Sequence, residues 1–349
     1  MERLERLFAY MEKQADGVLI TSQPNRSYFS GFTGSAGCLL ISPGQRLLFT
    51  DSRYTEQAKN QAPDFTVIQT QELLETLPQF ADKYQRIAFE AEALSYTQYE
   101  EYREALPGKL VPLKGISSLR QVKDEEEIQK IAKAAEITDS ALAKLLPKLK
   151  VGVSELEAAA ELEYQMRLLG GEGAAFPTIV ASGPNSALPH AQPGSRRLGW
   201  GDFVVIDCGA KWQGYCADLT RTFVVGEPSA KQQEIYQLVL DAQLVGLEAL
   251  QAGMGARELD ATARSVIGAA GYADAFGHGL GHGVGLEVHE EPRLSPKGEG
   301  ELAAGMVVTV EPGIYLAGWG GVRIEDLVLV KEDGREILSK TKKELVSVG

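Results

Sequence analysis

The chain has 349 residues, of which 44% are hydrophobic and 24% charged, with a net charge of −13. That is the composition of a globular protein of about two domains, and its acidity argues against nucleic acid and anionic lipid as partners. No apolar run approaches the roughly 18–20 residues that span a bilayer, and three cysteines are too few for a disulfide framework, so a cytoplasmic protein without membrane contact is expected.

The opening stretch, MERLERLFAYMEK, sets Leu4, Leu7, Phe8 and Met11 at helical spacing among charges of both signs. It reads as an amphipathic surface helix, not as a secretory signal. Residues 17–20, 38–42 and 46–50 read as strands, the last two joined by a Pro43-Gly44 turn. A strand over 65–68, a helix near 72–83, a strand over 86–89 and a helix near 97–105 follow. Residues 1–118 are therefore expected to form a small α/β domain; it contains no histidine and no nucleophile–base pair. Residues 31–37, GFTGSAG, lack the lysine of a phosphate-binding loop and are expected to turn between strands.

The second domain is expected over 119–349. Asp124 with Glu127, Ser154 with Glu157 and Ser229 with Gln232 each have the spacing of a capping box ahead of a helix. A faint repeat is present: Gly152-Val-Ser-Glu155-Leu156 and Gly255-Ala-Arg-Glu258-Leu259 each open an alanine-rich helix that leads through glycines to a phenylalanine and a strand. A duplicated α/β unit about a pseudo-twofold axis would produce it.

Within this domain an apolar strand ends in Asp207 and a second begins near Asp218. A two-residue turn at Trp212-Gln213 would set the two aspartates directly opposite each other on one face. Arg221 would then point to the other face. Facing like charges destabilise a sheet unless a proton, an arginine or a cation intervenes. Glu311 stands at the end of a further apolar strand and Glu325 within the next, over 321–330. Hard divalent cations relieve such a cluster, with an imidazole at one position. Three of the four histidines, His278, His282 and His289, lie in the glycine-rich stretch FGHGLGHGVGLEVHEEP, and the fourth is His190. His282 and His289, seven residues apart, would face opposite ways on a regular strand, so that one can ligate while the other serves a substrate.

Taken together, Pro189-His190-Ala191, Asp207, Asp218-Leu-Thr-Arg-Thr, Gly281-His282-Gly283-Val284-Gly285, Val288-His289-Glu290, Glu311-Pro312-Gly313 and Arg323-Ile324-Glu325 resemble the metal-dependent Xaa-Pro peptidases of the pita-bread fold, aminopeptidase P and prolidase. Residues 31–37 and Asp51-Ser-Arg-Tyr54 resemble the N-terminal domain of that family, with Ser52 where a glycine is usual. The resemblance implies a creatinase-like α/β domain, concerned with substrate access and dimer contacts, followed by a catalytic pita-bread domain. It implies two divalent ions, manganese first and cobalt or zinc as alternatives, on Asp207, Asp218, His282, Glu311 and Glu325, with Asp218 and Glu325 bridging. It further implies Glu311 as proton carrier, His289 and His190 as catalytic and substrate-binding groups, and His278 and Arg323 on the substrate side. The substrate would be a proline-containing di- or oligopeptide and the assembly a homodimer. An Xaa-Pro dipeptidase is the expectation, an aminopeptidase P acting on longer peptides the alternative, and a non-catalytic peptide-binding module on the same fold the reading from another class.

Overall fold

A computed structural model describes residues 2–349, which divide into two compact units, one ending at Arg120 and the other spanning Gln121–Gly349. In the first, a six-stranded mixed sheet runs in the order Thr66–Gln69, Gln45–Thr50, Cys38–Ser42, Gly17–Ile20, Ile87–Glu90, Leu110–Leu113. Pro112 is tolerated because its strand lies at the edge, where a missing N–H breaks no inner ladder. Leu19, Leu40, Phe49, Ile87 and Phe89 form the core of the sheet against the helices.

Two local expectations change here. The helix expected near 72–83 is two short helices, Leu73–Thr76 and Pro78–Ala81, because Pro78 has no N–H to continue the first. Residues 31–37 do not join two strands; they join the helix Gln23–Ser30 to the strand Cys38–Ser42. Buried Arg26 holds that loop by donating to the carbonyls of Gly34 and Gly37. Glu90, 2% exposed, accepts from the backbone N–H groups of Thr21 and Ser22, from both their hydroxyls and from Asn25 Nδ2.

The second unit repeats one order of elements twice. Helices Glu125–Leu145 and Glu155–Leu168 precede the strands Ile179–Ser182, Phe203–Cys208 and Leu219–Val225. Helices Ala230–Ala249 and Ala256–Ala269 precede Gly281–Gly283, Val307–Val310 and Asp326–Lys331. Each trio is antiparallel, with its middle member in sequence also in the middle of the three. The repeat extends to detail: Ser154 bridges Arg197 at the start of one helix, and Gly255 bridges Glu301 at the start of its counterpart. All three expected capping boxes form, on Asp124, Ser154 and Ser229. Each helix pair packs its apolar face on its own sheet, Leu142, Leu162 and Ile206 in one core and Val239, Leu259 and Val308 in the other.

Replacing Glu90 with alanine would strand its donors inside the first unit, a loss of about 3–5 kcal/mol by analogy with breaking a buried ion pair. Glu90→Gln, which keeps the acceptor oxygen, should lose clearly less. Urea unfolding of both variants checks this; equal losses would show that packing and not charge sets the cost.

Candidate metal centre

Five side chains reach one point from five strands. Asp207 lies on Phe203–Cys208, Asp218 precedes Leu219–Val225, and His282 lies on Gly281–Gly283. Glu311 follows Val307–Val310 and Glu325 precedes Asp326–Lys331. The first pair departs from the expected register. The turn is Gln213-Gly214, with φ of 47° and 82°, which suits a two-residue hairpin loop with both central residues left-handed. Asp207 therefore faces Thr220, not Asp218. Asp218 stands two residues before Thr220, so parity keeps both carboxylates on one face, diagonal to each other. In the other half Val310 faces Asp326 and Gly313 faces Arg323, which leaves Glu311 opposite Glu325.

His282 Nε2 lies 3.2 Å from Glu311 Oε1 and 3.6 Å from Asp218 Oδ2. Donor atoms of Asp218, His282 and Glu325 all fall within 4.8 Å of one another. The imidazole is aimed by its other nitrogen: Nδ1 donates to the Gly283 carbonyl at 3.1 Å, so a neutral ring keeps its Nε2 lone pair toward the carboxylates. Its backbone is seated as closely. A Cβ on Gly281 would run into the Thr309 carbonyl, and one on Gly283 into the Glu291 carbonyl. Thr309 Oγ1 accepts from His282 N–H and donates to Glu311 at 3.0 Å.

A polar chain backs the cluster. Arg323 Nη2 donates to Asp207 Oδ2 at 2.7 Å, and its Nε donates to Thr220 Oγ1, which in turn donates to Glu325 Oε2 at 2.6 Å. Arg323 Nη1 reaches Tyr315 Oη at 2.8 Å and the Pro189 carbonyl at 3.3 Å. Tyr315 Oη also pairs with His278 Nε2 at 2.9 Å. Because His278 Nδ1 faces the Gly279 carbonyl, the network makes Nδ1 the protonated nitrogen and Nε2 the acceptor from Tyr315.

His289 does not face away from His282. The chain after Gly283 leaves the regular strand, and the two rings stand edge to face with centroids 4.4 Å apart. His289 and His190 are exposed, and His190 lies within electrostatic reach of His278 and His289.

Charge is the dominant feature. Burial, then repulsion from neighbouring carboxylates, drives the Asp218 and Glu325 carboxyls well above their ordinary range. Burial also raises Asp207, against the pull of Arg323. Glu311 behaves oppositely: burial pushes it up, but the hydrogen bond and charge of His282 bring it down to about 2. Burial lowers His282, yet its contact with Glu311 leaves it raised overall. His289 is lowered, first by burial and then by His282.

Buried Asp207 Oδ1 and Glu325 Oε1 have no N–H or O–H donor among the described residues unless a neighbouring carboxyl is itself protonated, as Asp207 and Asp218 can arrange between them. Two orphaned oxygens, mutually repelling carboxylates and an imidazole with an aimed lone pair together fit divalent cations. Tyr315 and Thr220, both essential to this network, escape sequence reasoning. Thr220 has a signal in its place between Asp218 and Arg221, whereas Tyr315 has none.

Residues 129–332 match metallopeptidase family M24, and residues 3–122 match the creatinase/prolidase N-terminal domain. The chain is 43% identical over 351 residues to the Xaa-Pro dipeptidase of Pyrococcus furiosus, covering 99% of each. It is similar to the structure of an Xaa-Pro dipeptidase from Bacillus anthracis, with a TM-score of 0.97, 43% identity and coverage of 100% of this chain and 99% of that one. It is also similar to that of an X-Pro aminopeptidase from Thermotoga maritima, with a TM-score of 0.93, 43% identity and 99% of both chains covered. The fold is the pita-bread arrangement expected from the motifs.

The raised carboxyls have a sign. A folded-state carboxyl whose pKa lies above its unfolded value favours folding while protonated, so stability falls as pH rises above about 4 toward the folded pKa. Chelator-treated protein should therefore lose thermal stability between weakly acidic and neutral pH. Asp218→Asn should flatten that slope and raise metal-free stability at pH 7 by roughly 1–4 kcal/mol, as when a buried charge is neutralised. Thermal unfolding followed by circular dichroism across pH measures both; an unchanged slope would refute the assignment.

Proposed function

The chain belongs to metallopeptidase family M24, and on that premise we propose that it hydrolyses the bond between an N-terminal residue and proline, with Xaa-Pro dipeptides as its substrates. The carrying observation is the convergence of four carboxylates and one aimed imidazole, with two buried carboxylate oxygens left without donors. Asp207, Asp218, His282, Glu311 and Glu325 would hold two divalent cations, with Asp218 and Glu325 shared between them. Manganese is favoured because the donor set is mostly carboxylate. When bound, the ions supply Lewis acidity that polarises the scissile carbonyl and acidifies water.

The chain's own groups do the rest. Glu311, opposite Glu325 and within reach of the proposed ions, takes the proton from the attacking water and delivers it to the proline nitrogen as the carbon–nitrogen bond breaks. His289 stands edge to face with His282, and its N–H donates to the carbonyl oxygen as charge builds there. His190, exposed beside the Pro189 carbonyl that Arg323 holds, binds the substrate from the same side. Arg323 fixes Asp207, and His278 fixes Tyr315 against Arg323. A proline amide has no N–H and a locked φ, so recognition has to rest on pocket shape and on these side chains and not on strand-like pairing.

The likeness to an X-Pro aminopeptidase supports a second reading, in which longer Xaa-Pro peptides are trimmed. A reducing, cytoplasmic location agrees with three buried free thiols. A homodimer agrees with the exposed Leu156, Tyr164 and Leu168 on the helix Glu155–Leu168, spaced in multiples of four residues.

Manganese-loaded protein given an Xaa-Pro dipeptide and an Xaa-Pro-Y tripeptide at equal concentration should cleave the dipeptide faster. Preference for the tripeptide selects the aminopeptidase reading, and cleavage of neither with full metal content selects a binding module.

Asp218→Asn should lose metal and activity together. His289→Ala should keep its metal and lose about 10²–10³ in kcat, the usual effect of removing a donor to a developing oxyanion. Metal loss in His289→Ala would overturn the separation of ligand from catalyst.

A further inference from the structure

The two carboxylates placed to be shared, Asp218 and Glu325, stand at the starts of Leu219–Val225 and Asp326–Lys331, strands that belong to different sheets. No ladder joins those strands. The seam between them is made instead by one backbone bond, Glu325 N–H to the Thr220 carbonyl at 3.1 Å, and by side chains. Thr220 Oγ1 donates to Glu325 Oε2, and Thr222 Oγ1 exchanges bonds with the N–H and carbonyl of Arg323. These threonines alternate with Arg221, which works on the opposite face.

Arg221 is 1% exposed. Its Nη1 donates to the Thr220 carbonyl at 2.9 Å and, in a very short contact, to the Glu325 carbonyl. Its Nη2 donates to Asp326 Oδ1 at 2.7 Å and to the Thr341 carbonyl at 2.6 Å, while Nε is divided between the Thr341 and Lys342 carbonyls. All five N–H groups of the guanidinium are used. The far end is itself anchored: Asp139 accepts from the N–H groups of Lys340 and Thr341, and Asp326 Oδ2 accepts from Gln243 and Lys343.

From this geometry we propose that Arg221 is a positioning residue for the metal centre, setting the separation of the Asp218 and Glu325 carboxylates by clamping the carbonyls of Thr220 and Glu325 from behind. It touches neither substrate nor cation. A planar fork can hold two carbonyls of different sheets and a carboxylate at once; an ammonium of equal charge cannot hold them in the same plane. The proposal rests on the reading that Asp218 and Glu325 bind divalent cations.

The test is titration of metal-free wild type and Arg221→Lys with Mn²⁺ alone, followed calorimetrically, with kcat and KM measured beside it. Arg221→Lys should bind Mn²⁺ about 10–100-fold more weakly, as when a partner behind a ligand is altered, and lower kcat while KM for the dipeptide stays within about twofold. Leu142→Ala, a core truncation in the first half-unit, supplies the control: it should lower the unfolding temperature and leave Mn²⁺ affinity unchanged. If Arg221→Lys fails to fold, Asp139→Asn, which loosens the anchor at Thr341, should weaken Mn²⁺ binding in the same direction by less. A variant that binds Mn²⁺ as wild type does, whatever its unfolding temperature, overturns the clamp and leaves the metal reading standing. Wild type that takes up no divalent cation sinks the metal reading, and the clamp with it.

Discussion

Repulsion among four carboxylates at the ends of apolar strands is the constraint that organises the second unit. An uncompensated buried charge costs several kcal/mol, and three of the four are answered, each differently. Asp207 has Arg323, Glu311 has His282, and Glu325 has the Thr220 hydroxyl on one oxygen. What remains is a deficit of positive charge at Asp218 and on the free oxygens of Asp207 and Glu325. Arg323 spends Nε and both Nη1 N–H groups on Thr220, Tyr315 and Pro189, which leaves only Nη2 for the acids. Divalent cations at the proposed centre would complete the balance.

The repeated halves explain where such a centre can exist. Each half ends one middle strand in an acid, Asp207 or Glu311, and begins the following strand with another, Asp218 or Glu325. Only the second half adds an imidazole. The halves meet without a continuous ladder, so the geometry between their acids is decided by side chains: Thr220, Arg221 and Thr222 on Leu219–Val225, and Arg323 two residues before Glu325. A site built at such a seam can be adjusted by changing one donor, whereas one inside a ladder is fixed by the backbone spacing.

Much of this was legible in the residues. The strands at Gly17–Ile20 and Cys38–Ser42 follow from short β-branched and leucine runs bounded by turn residues, and the three helix starts follow from capping boxes. Asp207 and Asp218 could be placed on one face because side-chain parity survives a shift of the turn by one residue. Their exact opposition could not, since Gln213 adopts a left-handed conformation that nothing in Lys-Trp-Gln-Gly demands. The approach of His289 to His282 was hidden for a related reason: period-two reasoning fails where the strand ends at Gly283. Glu90 and Tyr315 were out of reach altogether, because their partners converge only after folding and carry no local spacing.

The glycines beneath His282 have an evolutionary corollary. Thr309 and Glu291 leave no space for a methyl group at positions 281 and 283, so the residues least free to drift in this segment are two that can neither titrate nor ligate. A lineage that kept all five acidic and imidazole groups but acquired alanine at Gly281 would retain the inventory of the centre and lose its assembly. Ancestry-based inference of activity in such chains is therefore safer when it weighs the small residues that grant the imidazole its seat as heavily as the imidazole itself.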